Sequence, residues 1–162
     1  MDRLIVTGGA GFIGSNFVRH LLHHTESQVV VYDALTYAGS LESLREISDH
    51  PRYRFVHGDI AERNQVRELF AEVRPTGLLN FAAESHVDRS IDGPGEFVRT
   101  NIVGTFELLE VSRHYLSEGD DALRSTFRFL HVSTDEVDGS LGEEGLFHET
   151  TPYAPNSPYS AS

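Results

Sequence analysis

An α/β fold, a doubly wound parallel sheet with helices on both faces, is what this sequence predicts. Three observations carry the expectation. Short runs rich in Val, Ile and Leu alternate with segments whose apolar residues recur at helical spacing, the pattern of successive β-α-β units. A glycine-rich turn joins the first such run to the first periodic segment. The 162 residues, 39% of them hydrophobic, suffice for one domain to bury a core of its own.

The elements follow in order. Arg3–Thr7 is the first expected strand, and Ile13, Phe17, Val18, Leu21 and Leu22 mark one face of the helix after it. Gln28–Asp33 and Tyr53–His57 are the second and third strands. Val66, Leu69, Phe70 and Val73, spaced i, i+3, i+4, i+7, form the next helical stripe. Leu78–Phe81 is the fourth strand. Phe97–Leu116 carries two apolar stripes. Val98, Ile102, Phe106, Leu109 and Leu116 form the one suited to the sheet, and Phe97, Gly104, Leu108, Val111 and Tyr115 the other. A helix apolar on two faces needs two partners, so the second cover is either another helix of this chain or the same helix of a second copy. Glu118, Asp120 and Asp121 read as a solvated loop, as do Glu143 and Glu144. Phe127–Ser133 is the fifth strand. From Gly139 to Pro158 the chain reads as a long irregular connection, of the kind that serves function more often than packing.

Composition narrows the function classes. With no Cys there is no disulfide framework and no thiolate chemistry. A formal net charge of −12, from 25 acidic and 13 basic residues, repels nucleic-acid backbones and anionic membranes. No apolar run approaches the ~20 residues of a membrane span, and a signal peptide is not expected because Arg3–Thr7 already reads as a strand, so a cytoplasmic protein is expected. The histidines lack metal-ligand spacing, His23 and His24 sit at a helix end, and His86 is expected to make a structural hydrogen bond. No metal is expected.

The turn Thr7-Gly8-Gly9-Ala10-Gly11-Phe12-Ile13-Gly14 sits between a strand and a helix. Gly8 permits the tight turn, Gly11 the approach of a pyrophosphate, and Gly14 close packing of helix on strand. This is the fingerprint of a Rossmann-type dinucleotide site. Asp33 ends the second strand about 20 residues after Gly14, where a carboxylate accepts from the adenosine ribose and disfavours an added phosphate. No Arg follows in Ala34-Leu35-Thr36, so NAD is the expected cofactor. Asp59 and Ile60, after the third strand, are placed at the adenine. Phe81, Ala82 and Ala83 end the fourth strand with small residues that allow close cofactor approach.

Longer runs carry a resemblance: Asp33-Ala34-Leu35-Thr36-Tyr37-Ala38-Gly39, Ala82-Ala83-Glu84-Ser85-His86-Val87-Asp88-Arg89-Ser90, Thr100-Asn101-Ile102-Val103-Gly104-Thr105, His131-Val132-Ser133-Thr134-Asp135-Glu136-Val137 and Ser157-Pro158-Tyr159-Ser160-Ala161-Ser162. With the glycine turn, these resemble the extended short-chain dehydrogenase/reductase family and, within it, the dTDP-glucose 4,6-dehydratases. The resemblance implies a lyase that converts dTDP-glucose to dTDP-4-keto-6-deoxyglucose in deoxysugar (rhamnose) biosynthesis. Hydride passes from carbon 4 to NAD, water is eliminated across carbons 5 and 6, and the hydride returns to carbon 6. It implies Tyr159 as the base for the 4-hydroxyl, aided by Thr134, Asp135 as the acid for the 6-hydroxyl, and Glu136 as the base at carbon 5. Ser85 and Thr100 would lie near the cofactor, and Ser85 and Thr134 near the sugar. Adjacent carboxylates on a continuing strand face opposite ways, so aiming both at one sugar requires a strand-end turn, which Gly139 suits.

The resemblance divides the chain into an NAD-binding Rossmann domain, 1–138, and an active-site loop, 139–162, leading to the catalytic Tyr. The family's Tyr-x-x-x-Lys motif begins at Tyr159, and its Lys falls one position beyond Ser162. The last strands and the substrate domain are expected further on. Asp138 stands where the family usually has Tyr. The other readings are an NAD-dependent sugar-nucleotide 4-epimerase, which Asp135–Glu136 disfavours, and a non-catalytic NAD-binding fragment.

Overall fold

Val29, Val30 and Val31 are stiff at χ1 and fit a pleated surface buried on both sides, and the strands around them form one parallel sheet. The computed structural model describes residues 2–142 and 144–162. Its strands are β1 (Arg3–Thr7), β2 (Gln28–Asp33), β3 (Tyr53–His57), β4 (Gly77–Asn80) and β5 (Arg128–His131), in the order β3-β2-β1-β4-β5. Thr7 stands opposite both Tyr32 and Asn80, and Asn80 opposite His131, so the strands end nearly level. The winding reverses between β1 and β4. In open α/β sheets ligands bind in the crevice at that point, outside the strands' carboxyl ends.

Both faces of the sheet are covered. On one, α1 (Phe12–His24) packs Val18, Leu21 and Leu22 with Val6, Val29 and Val31, joined by Leu44 and Ile47 of a 3-10 turn at Leu41–Ile47. On the other, Val66, Leu69, Phe70 and Val73 of α2 (Arg63–Val73) are all buried against Ile5, Val30 and Leu78. The doubly wound fold expected from the sequence is borne out.

Four details differ. β4 is shifted by one residue from Leu78–Phe81: β1 ends at Thr7 opposite Asn80, and Phe81 keeps a single bond to it, its N–H to the Thr7 carbonyl at 3.1 Å. β5 is shorter than Phe127–Ser133, because it pairs only with β4, residue for residue. Ile13 is 61% exposed and lies off the buried stripe of α1. Glu118 and Asp121 do not lie in a loop: Glu118 ends the helix Thr105–Glu118, and Asp121 begins the next one. Asp120 caps the short helix Asp121–Thr126 by accepting from the Leu123 N–H at 2.8 Å, and Asp121 pairs with Arg124. Glu144 is exposed, and Glu143 lies outside the described residues.

The long periodic segment needs the largest correction. Its helical course runs through Pro94–Phe97, a π-helical stretch at Val98–Gly104, and Thr105–Glu118. The stripe expected to face solvent or a second partner, Phe97, Leu108 and Val111, is the buried one. Val98, Ile102, Phe106 and Leu109, expected on the sheet, are each about half exposed. Only Leu116 of that set packs on the core. The reason is Gly104, on whose side the helix comes close enough that an added Cβ would lie 2.6 Å from Ile60 Cδ1. No other helix among the described residues covers the exposed stripe.

Tyr32 shows how the sheet end is sealed. Its ring is buried, and its hydroxyl lies 3.1 Å from the Asp59 carbonyl and 3.2 Å from Gln65 Oε1. Burial first, then the carboxylates of Asp59 and Glu62, push its phenol up to about 12. An unfolded tyrosine ionises near 10, so above that pH the unfolded chain loses a proton that the native state keeps. The resulting stability is present below pH ~10 and lost as pH climbs toward the native value. Tyr32→Phe should flatten the alkaline limb of stability measured by urea unfolding against pH. An unaltered limb would exclude Tyr32 as its source.

Candidate functional site

The glycine turn is shaped by contacts that admit no side chain. Gly8 sits at φ +64, a left-handed conformation, and a Cβ there would lie 2.5 Å from the Ala82 nitrogen. At Gly14 a Cβ would lie 2.3 Å from the Gly8 carbonyl oxygen, so α1 starts directly against the turn. Gly11 is the N-cap of α1 and offers no side-chain acceptor, which leaves the first-turn N–H groups to another partner. Phe12, 84% exposed, and Ile13 flank this opening.

Asp33 is buried at the end of β2. Its Oδ2 accepts from the Ala10 N–H at 2.8 Å and its Oδ1 from the Leu35 N–H, also at 2.8 Å. The carboxylate therefore ties the glycine turn to the loop after β2, and Leu35 accepts a left-handed backbone (φ +51) in closing that loop. Asp59, at the end of β3, is held by the Ala61 N–H on Oδ1 and by Arg99 on Oδ2. These residues form a cleft of about 120 Å³, lined by Gly8, Asp33, Ala34, Thr36, Asp59, Ile60, Phe81, Ala82, Ala83 and Thr100 among others. Of the expected cofactor residues, Gly11, Phe12, Ile13, Gly14, Leu35 and Ser85 do not line this cleft. Ser85 is exposed.

A second, roomier cleft of about 360 Å³ shares Ala82 and Ala83 with the first. Thr134 and Tyr159 stand on its walls with Asn101, Thr105, His131 and Ser162. Tyr159 belongs to a short helix, Pro158–Ala161, whose start is fixed by a reciprocal capping box between Ser157 and Ser160. Its ring meets Phe97 edge-on at 6.3 Å between centroids. Asp135, Glu136 and Asp138 form a 3-10 turn directly after Thr134, whose hydroxyl accepts from the Glu136 N–H at 3.3 Å. Chain reversal occurs at Gly139 (φ +92), where a Cβ would lie 2.7 Å from the Ala154 carbonyl oxygen. The carboxylates thus sit on a turn and not a continuing strand, but Asp135 and Glu136 are not among the residues lining either cleft. Nothing in the structure explains an Asp at 138.

Several residues of the site had no role assigned from the sequence. Asn101 binds both backbone groups of Glu84, accepting from its N–H at 2.8 Å and donating to its carbonyl at 2.9 Å, and also donates to Ser162 Oγ at 2.8 Å. Asn80, fully buried, accepts from the Thr7 hydroxyl and donates to His131 Nδ1 at 3.0 Å, which links the ends of β1, β4 and β5. Burial pushes the His131 imidazole down. Desolvation pushes the Glu84 carboxyl up, against opposing pulls from Arg89 and Tyr37. The signal for Asn80 and Asn101 was an amide at a strand end or inside a helical run, where it disfavours regular structure unless its side chain is satisfied. His86 is exposed and caps the next helix through its backbone, without a side-chain cap bond.

Among the described residues, no group of three or more His, Asp or Glu side chains is arranged to hold a metal, and no helix is long and apolar enough to cross a membrane.

Comparison with known proteins decides the family. The family model described as GDP-mannose 4,6 dehydratase matches residues 5–162, nearly the whole chain. The chain belongs to the GDP-mannose 4,6 dehydratase family. Within this family it is similar to the dTDP-glucose 4,6-dehydratase of Neisseria gonorrhoeae, with 58% identity over 160 residues, 98% of this chain and 46% of that protein. The chain spans about half the length of the curated relatives it matches. Among solved structures, it superposes on a dTDP-glucose 4,6-dehydratase from Streptomyces venezuelae with NAD and TYD bound. The TM-score is 0.85 at 46% identity, over 98% of this chain and 47% of that one. The UDP-Glc/GlcNAc 4-epimerase of Campylobacter jejuni gives a TM-score of 0.86 at 26% identity, over 99% of this chain and 45% of that one. The dehydratase resemblance read from the sequence is borne out. The family's shared fold extends to epimerases, whose identity to this chain is lower.

Proposed function

We propose that this chain is the dinucleotide-binding part of an NAD-dependent lyase that dehydrates dTDP-glucose to dTDP-4-keto-6-deoxyglucose. The observation that carries the reading is the meeting of two clefts at Ala82–Ala83. One is ringed by the glycine turn and strand-end carboxylates, and the other holds Tyr159 and Thr134 beside the Asp135–Glu136 turn. Relatives 50–58% identical bearing the dehydratase name support the substrate, and a neighbour solved with NAD supports the cofactor.

The residues present fit NAD. Side chains are excluded at Gly8 and Gly14 by close backbone, and the uncapped start of α1 suits a pyrophosphate. The set assigned to the cofactor is Gly8, Gly11, Phe12, Ile13, Gly14, Asp33, Ala34, Leu35, Thr36, Asp59, Ile60, Phe81, Ala82, Ala83, Ser85 and Thr100. When bound, NAD supplies a reversible hydride acceptor. The deprotonated Tyr159 oxygen takes the proton of the sugar's 4-hydroxyl and becomes the phenol, with the Thr134 hydroxyl holding that group in line. Glu136 removes the proton at carbon 5, made acidic by the neighbouring 4-ketone, while Asp135 protonates the departing 6-hydroxyl. Ser85 and Thr134 orient the sugar.

The protein is assigned to the cytoplasm, with no nucleic-acid or membrane partner, in keeping with a net charge of −12. The exposed stripe of Val98, Ile102, Phe106 and Leu109 is assigned to a homodimer, since one apolar helix face is self-complementary about a two-fold axis.

The test is the product formed by the intact protein from dTDP-glucose with NAD. A sugar nucleotide lighter by one water is expected. A product of unchanged mass epimerised at carbon 4 would replace this reading with the epimerase, and NAD binding without turnover would replace it with a binding module.

A further inference from the structure

The first cleft is acidic where its proposed ligand is anionic. Asp33, Asp59, Glu84 and Glu96 line it, and Arg99 is the basic side chain among its described lining residues. Arg99 comes from the π-helical stretch, an irregularity common at functional sites, which brings Arg99 and Thr100 to this cleft and Asn101 to the other.

The Arg99 guanidinium forks between Asp59 Oδ2 and Glu62 Oε1, 2.9 Å from the latter. With the Ala61 N–H at 2.9 Å on Oδ1, Asp59 is gripped from two directions and its carboxylate plane is fixed. A carboxylate has about four acceptor sites, so both oxygens keep capacity toward the cleft. Without Arg99 one backbone N–H would remain, and the carboxylate could turn about it.

A carboxylate fixed in this way reads one feature of a purine. Adenine presents an amine at carbon 6, a donor. Hypoxanthine presents a carbonyl there, an acceptor that meets the carboxylate oxygen with no proton between them. The discrimination exists only while the carboxylate is held in place.

We propose that Arg99 is a positioning residue for base selection, holding Asp59 so that the cleft prefers an adenine to a hypoxanthine dinucleotide. The inference rests on the dinucleotide reading above. It concerns Arg99 and not the presence of the site.

The test compares binding of NAD and its hypoxanthine analogue to the intact protein by calorimetry. The two dinucleotides carry the same charge, so loss of the guanidinium charge weakens both alike and cancels in their ratio. Wild type is expected to bind NAD about tenfold more tightly than the analogue, the scale of one hydrogen bond to a charged acceptor. In Arg99→Gln the ratio should fall to within about twofold of unity, while both affinities drop. Asp59→Asn should collapse the ratio as well, and adding Arg99→Gln to it should change the ratio no further. Arg99→Gln with the wild-type ratio retained overturns the proposal, because Arg99 would then be general support. Equal affinities in wild type overturn it too, since Asp59 would read no base. Failure of wild type to bind either dinucleotide is a different result, which removes the dinucleotide reading and this proposal with it.

Discussion

Gly14→Ala should cost about 1–3 kcal/mol of stability and abolish measurable binding of NAD, although it adds a single methyl group. The methyl carbon would lie 2.3 Å from the Gly8 carbonyl oxygen and 2.9 Å from the Gly9 Cα. Both are backbone, in a turn that cannot give way. Gly8 is itself in the left-handed region, and its nitrogen donates to the Tyr32 carbonyl at 3.0 Å. The remaining way out is for α1 to lift off the turn. That movement would separate the helix start from Ala10, whose N–H anchors Asp33, and so open both ends of the proposed ribose and pyrophosphate site. Urea unfolding and NAD titration measure the two effects. Gly95→Ala is the control, since a Cβ there meets nothing within 4 Å. Near-wild-type binding in Gly14→Ala would show that the ligand does not rest on this turn.

Glu136→Gln, made in the intact protein, is expected to lower the rate of dehydration by about 10²–10⁴-fold, the usual contribution of a positioned acid or base. The amide keeps the size of the side chain and leaves the turn intact, because Thr134 holds that turn through the backbone N–H of residue 136. NAD affinity should therefore be unchanged, while formation of the lighter product nearly stops. Dehydration at wild-type rate in this variant would remove Glu136 from the chemistry and leave Asp135 to be tested next.

Much of the architecture was legible in the residues. β1, β2 and β3 were readable to the residue because each is a β-branched or aromatic run ending at a glycine or a carboxylate. The ends of β4 and β5 were not, because a parallel strand stops where its neighbour stops. Phe81, Val132 and Ser133 carry no sign of Thr7 or Asn80. For the segment 97–116, spacing separated two apolar stripes correctly but could not say which one met the sheet. Both were apolar, and the deciding feature was a missing side chain, Gly104. In the site, single-residue signals at strand ends (Asp33, Asp59, Ala82) were readable from position alone. Arg99, Asn80 and Asn101 act through partners 40, 73 and 61 residues away. A periodicity window does not reach that far, and only the folded chain shows who those partners are.

The chain order of the sheet also bears on when such a site comes into being. β1 finds β2 close by, but its other neighbour is β4, and the Thr7–Asn80 hydrogen bond closes a loop of 73 residues. The Asn101–Ser162 bond closes another of 61. Entropy makes long closures the slow ones, and topology of this kind delays folding. The crevice between β1 and β4 thus exists only where contacts between residues far apart in the chain are in place. A ligand held there reports on the whole fold at once: it has no partly built pocket to settle into, and its departure gives early warning that distant parts of the chain have come apart.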